Sequence, residues 1–156
     1  MSPLINILGL VFILFIQNNE PKYWTSLDSV HGKALMMQCS RPAPDNVQAF
    51  WKINRADRLV LEQHLKAIRK EKSDYGRDGS VIAEFDSYAL QYLGVTIKGQ
   101  RYIYINALRI SKKSADEEYP NWRSCVIRVC DGGQAYWGVL FNLKTKSFEQ
   151  LYFNGP

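Results

Sequence analysis

Two runs of alternating aliphatic residues flank Gly99: Leu93, Val95 and Ile97 before it, Ile103, Ile105 and Ala107 after it. A period of two is the side-chain period of a strand, so the stretch predicts a β-hairpin. The intervening residues of the second run are Tyr102, Tyr104 and Asn106. For both aliphatic sets to share one face, an odd-length loop or a bulge must set the register. The strand pattern continues downstream. Ser124 to Cys130 reads as a strand and Asp131-Gly132-Gly133 as a turn. Tyr136 to Phe141 returns, and Phe148 to Phe153 closes the sheet.

One strong helix precedes these strands. Asn54 is an N-cap residue with Asp57 three positions on, and Leu61, Leu65 and Ile68 recur at i, i+4 and i+7. Arg58, Glu62, Lys66, Arg69 and Lys70 cover the rest of its surface. Nearer the start, Lys33 to Cys39 reads as a short strand broken by Pro42 and Pro44, and Asp45 or Asn46 as the cap of a helical turn carrying Phe50 and Trp51. A helix followed by meandering strands packs as two layers. The expected class is α+β: one main helix on a curved antiparallel meander of four to five strands, similar in element order to cystatin and NTF2-like folds. The sheet's second face would be solvated or used for binding.

The N-terminus constrains the compartment. From Leu4 to Ile16 every residue but Asn6 is apolar, a run of about 13 positions against the roughly 20 needed to span a bilayer as a helix. Residues 1–20 therefore read as a signal peptide or N-terminal anchor, 21–32 as a linker and 33–156 as a single domain. The segment Met1-Ser2-Pro3 carries no basic side chain and Gln17-Asn18-Asn19-Glu20 no small-residue cleavage pair, so a buried N-terminal element of a cytosolic protein stays open. Export places the domain in the periplasm or outside the cell, anchored at the inner membrane where the leader is retained. With 156 residues there is room for one domain with a real core. A net charge of +5 favours acidic partners without fixing a fold.

The three cysteines sort by geometry. Cys125 and Cys130 on one strand would sit about 16 Å apart on opposite faces, beyond the roughly 7 Å between Cα atoms that a disulfide tolerates. Cys125 shares a face with Ile127 and Val129 and reads as a buried thiol. Cys39 and Cys130 each end an apolar run, so in an oxidising compartment they are expected to pair. Three free thiols in a cytosolic protein is the alternative.

Other chemistry is thin. With no Cys-x-x-Cys pair and only His31 and His64, a zinc site is not expected, and no cofactor is implied. Asp74 to Phe85 resembles an EF-hand loop in its Asp and Gly spacing but has Gly76 at its third position and Phe85 at its twelfth, so it lacks calcium's oxygens. Arg58, Lys66, Arg69 and Lys70 form a basic helix face with Glu62 and Glu71 interspersed, a solvated surface more than a phosphate site, and export argues against nucleic acid. The more promising contact residues are Tyr102, Tyr104 and Asn106 on one strand face, with Tyr136, Trp137 and Asp131 after it, since aromatic side chains supply rigid contact area. Trp137 is as compatible with the core as with a binding surface.

Cys39-Ser40-Arg41, Pro44, Trp51, Tyr102 to Ala107, Val129-Cys130-Asp131-Gly132-Gly133, Trp137-Gly138-Val139 and Phe153-Asn154-Gly155 together resemble a group of small exported bacterial proteins of unknown function. That resemblance implies an extracytoplasmic bacterial protein and supplies no activity. The expected function is binding without catalysis, through contact with an acidic protein partner, in an inhibitory or immunity-type role. The competing expectation is an NTF2-like small-ligand binder or enzyme with a pocket between helix and sheet, for which Asp86, Tyr88, His64 and Asp131 are the available polar groups.

Overall fold

A computed structural model describes residues 21–73, 82, 85–110 and 114–155. The chain is α+β, built on a six-stranded, mostly antiparallel sheet. The strands are β1 (Tyr23–Ser26), β2 (Val47–Trp51), β3 (Tyr88–Ile97), β4 (Gln100–Arg109), β5 (Tyr136–Asn142) and β6 (Ser147–Phe153). Helices α1 (Gly32–Met36), α2 (Arg55–His64) and α3 (Ala115–Glu118) lie between them. The order β1-β3-β4-β5-β6 is a meander from β3 onward. β1 pairs in parallel with Ala89–Tyr92 and β2 antiparallel with Gly94–Ile97, so two short strands divide one long edge of β3. Residues 21–32, expected as a linker, thus supply a strand and the buried Leu27.

The hairpin register settles which faces are buried. Lys98 and Gly99 form a two-residue turn with φ of 49° and 74°, and Ile97 lies opposite Gln100. Both central residues at positive φ match the twist of the flanking strands, and Gly99 adopts that conformation without steric cost. An even loop sends the two aliphatic sets to opposite faces, not to the single face that an odd loop or bulge would have given. Leu93 and Val95 pair with Tyr104 and Tyr102, while Ile103 and Ile105 pair with Gly94 and Tyr92. Each face has its own core. On the first, Leu61, Leu65 and Ile68 pack with Ile103, Ile105, Trp137, Phe141 and Phe153. On the second, Leu27 and Leu35 pack with Leu93, Val95, Tyr104 and Leu140.

α2 starts where its cap demands: the Asn54 side chain accepts from Asp57 N at 2.8 Å, and the chain continues as a tighter turn over Leu65–Lys70. Three other expectations are corrected. Lys33 to Cys39 is no strand. Gly32–Met36 is helical, since this run has no β-branched residue, and it buries Gly32 and Leu35 on its inner side. Asp45 and Asn46 cap no helical turn: Asn46 takes φ 58° and turns the chain into β2, whose Val47, Phe50 and Trp51 pair along β3.

Ser124 to Cys130 is likewise no strand. It is an irregular strap across the second sheet face, held by side chains of Gln91, Asn106 and Asn154 and not by a strand ladder. Cys125 is accordingly exposed, not a core thiol. The EF-hand-like stretch from Asp74 lies almost wholly outside the described residues.

Candidate functional site

The second sheet face is polar at its centre. Gln91, Asn106 and Gly138 lie side by side across β3, β4 and β5. Above them sits Arg41, only 4% exposed. Its Nε donates to the Tyr104 hydroxyl at 3.3 Å, Nη1 to the side-chain oxygen of Asn154 at 2.6 Å, and Nη2 to that of Asn106. A buried charge is normally matched by an opposite one. Here the hydrogen-bond partners are neutral amide and phenol oxygens. Gly138 makes the arrangement feasible, since a Cβ there would collide with the Tyr104 hydroxyl and lie 3.0 Å from Arg41 Nε.

Because Arg41 takes the oxygens of Asn106 and Asn154, their NH2 groups face the strap. Asn106 Nδ2 donates to Ile127 O at 3.2 Å, and Asn154 Nδ2 to Val129 O at 2.7 Å and Asp131 O at 3.0 Å. Gln91 extends the row, donating to Trp122 O at 2.6 Å and Cys125 O at 2.7 Å. The Cys39–Cys130 disulfide ties the far end of the strap beside Arg41, with Cα atoms 5.2 Å apart. Ser40 O accepts from Gly155 N, Ser40 Oγ accepts from Asp131 N, and the C-terminal residues close the knot.

The expected contact residues are therefore placed unexpectedly. Tyr104, Asn106, Cys39, Cys130 and Asp131 meet around Arg41, but Tyr102, Tyr104 and Asn106 are buried where a solvated or binding face was expected. The reason is the even hairpin loop, which leaves a second apolar face that α1 and the strap then cover. Trp137 is core, on the first face, with its ring edge-on to Tyr88 at 5.5 Å. Tyr136 is half-buried beside Tyr119, their hydroxyls 3.2 Å apart. Sequence patterning missed Arg41, Gln91 and Asn154. An Arg or amide among apolar neighbours reads as surface unless its partners are known.

Asp86, Tyr88, His64 and Asp131 do not converge. His64 packs against Phe141 on the first face, whereas Asp131 belongs to the strap on the second. Tyr88 donates to Gln134 O, and Asp86 is exposed. Among the described residues no group of three or more His, Cys, Asp and Glu is placed to hold a metal. No described helix is long and apolar enough to cross a membrane.

Charge gathers instead at one end of the sheet. The turns after β3 and β5 lie together there, and with the start of α2 they line an open cleft of about 540 Å³ bounded by Asp57, Val60, Arg101, Leu143, Lys144 and Lys146. Arg101 lies 3.9 Å over the Trp51 ring and donates to Asp57 at 2.8 Å. Its side chain is still 52% exposed. No ion pair among the described residues engages Lys144 or Lys146, so the cleft carries excess positive charge. The expected basic helix face is less open than its composition implies: Arg58 turns onto Glu62 and over Trp24 at 4.3 Å. The chain matches no family model, no curated protein and no solved structure.

Proposed function

We propose that this chain is an exported, non-catalytic binding protein that acts by contact with an acidic protein partner, in an inhibitory or immunity-type role. The cationic cleft is the observation that carries this reading: Arg101 is preorganised between Trp51 and Asp57, with Lys144 and Lys146 beside it. A cleft of one charge sign steers an oppositely charged partner and selects against basic ones. The Cys39–Cys130 bridge supports an oxidising compartment, where such bonds persist. A small-ligand pocket between α2 and the sheet gains no support, since Leu61, Leu65 and Ile68 occupy that space against Ile103, Ile105 and Phe141.

The test is crosslinked capture from the envelope fraction of the producing cell, with wild type and the K144E/K146E pair as bait. An acidic protein held by wild type and released by the charge reversal or by high salt supports the reading. Retention by the reversed variant, or capture of a basic partner alone, contradicts it.

A further inference from the structure

The strap is not part of the sheet, yet the sheet grips it. The side-chain amides of Gln91 on β3, Asn106 on β4 and Asn154 just past β6 donate to the carbonyls of Cys125, Ile127, Val129 and Asp131. The Gln91 side-chain oxygen also accepts from Ile127 N at 3.3 Å. Those carbonyls recur every second residue up to Asp131, where a φ of 68° turns the chain, and an extended backbone presents its carbonyls at the same spacing. All of these contacts are to main chain, so the grip is indifferent to the side chains of the segment held. Of the strap's own side chains Cys125, Arg128 and Cys130 are exposed, while half-buried Val126 and Ile127 pack against the apolar residues beside the row of amides.

We propose that this face is a binding channel for an extended polypeptide, occupied in cis by residues 125–131 and latched by the Cys39–Cys130 disulfide. The channel is built into the core. Gln91 and Asn106 are fully buried and Asn154 is 2% exposed. Arg41 fixes the two asparagine amides with their donors outward, so they keep their aim when the strap leaves. The latch is accessible, since both cysteines of the bridge are exposed. A dithiol reductant cuts it by thiol exchange: the S–S bond breaks, two electrons and two protons pass to the protein, Cys39 and Cys130 become thiols, and the reductant closes its own disulfide. The strap, still joined through the chain to buried Trp122 and to β5, is freed of the disulfide tether. It is then held by hydrogen bonds that an extended backbone can replace and by the packing of Val126 and Ile127, so its advantage over an incoming chain falls. Emptying the channel takes both acceptors from Asn154 Nδ2 and one each from Gln91 and Asn106, whose amides keep Trp122 O and the Gln91 side-chain oxygen. Another extended backbone can supply the acceptors lost.

The experiment uses the full chain, oxidised or reduced with dithiothreitol, and a fluorescein-labelled synthetic peptide of the chain's own residues 122–132 with serine at its cysteines. The peptide is expected to bind the reduced protein at least tenfold more tightly than the oxidised one. The C39S/C130S pair should bind it without reductant. Hydrogen exchange should show the amides of 125–131 losing protection on reduction while β3, β4 and β5 keep theirs. Equal peptide binding in the two states, or a strap still protected after reduction, overturns the proposal. Simultaneous loss of protection across the whole sheet also overturns it, because the bridge is then a folding staple.

Discussion

Arg41 Nη1 and the side-chain oxygen of Asn154 meet at 2.6 Å across 113 residues of sequence, in a site where no carboxylate among the described residues pairs with the cation. The amide dipoles of Asn106 and Asn154 take its charge on one side and pass donors to the strap on the other. Replacing Arg41 with methionine removes the donors while keeping much of the volume. It orphans three buried oxygens, and each unsatisfied group costs about 1–3 kcal/mol. Arg41→Met should therefore lower stability by roughly 3 kcal/mol or more in urea unfolding of the oxidised protein. Arg41→Lys should recover only part of it, because an ammonium lacks the planar fork that reaches two amides at once.

Gly138→Ala tests the same site from below. The added methyl meets the Tyr104 hydroxyl and Arg41, so the change should cost about 1–3 kcal/mol. Tyr104→Phe in the Gly138→Ala background should return part of that loss. Purely additive losses in the double-mutant cycle would show that the two positions do not share the space.

The contrast between these positions and α2 shows what sequence patterning can reach. Leu61, Leu65 and Ile68 announce a buried stripe because helix periodicity is local, and Asn54 announces its start for the same reason. The β3–β4 hairpin and the Cys39–Cys130 pairing are legible for similar reasons: alternation around Gly99 in one case, elimination among few thiols in the other. The second face is not legible. Whether Tyr102, Tyr104 and Asn106 see solvent depends on a one-residue difference in loop length and on a distant segment, 121–131, that has no period of its own. Arg41 is the extreme case, since all its hydrogen-bond partners lie 63 or more residues away.

The cap of α2 offers a local check. Asn54→Ala removes the oxygen that accepts from Asp57 N, and should cost about 1 kcal/mol. Asn54→Asp or Asn54→Ser should restore most of it. The readout is the denaturation midpoint at unchanged slope.

Alkaline titration gives a pH signature. Burial, and then its hydrogen bond with Tyr136, holds the Tyr119 phenol far above its ordinary value of 10. A group raised in the folded state contributes fully below its unfolded value and loses that contribution as pH rises toward its folded one. Tyr119 therefore opposes phenolate formation above pH 10, and stability should fall there more steeply in wild type than in Tyr119→Phe. Phenolate absorbance at a fixed pH above 10, followed beside far-ultraviolet dichroism, checks this. Ionisation of Tyr119 should accompany unfolding and not precede it.

The most direct measurement of the functional reading is a titration of the isotope-labelled, oxidised chain with an Asp- and Glu-rich peptide, followed by amide chemical shifts. The cleft account predicts salt-sensitive shifts concentrated at residues 99–101 and 143–146 and at the start of α2, and their loss in K144E/K146E. No shifts, or weak shifts spread evenly over every basic surface, would contradict it.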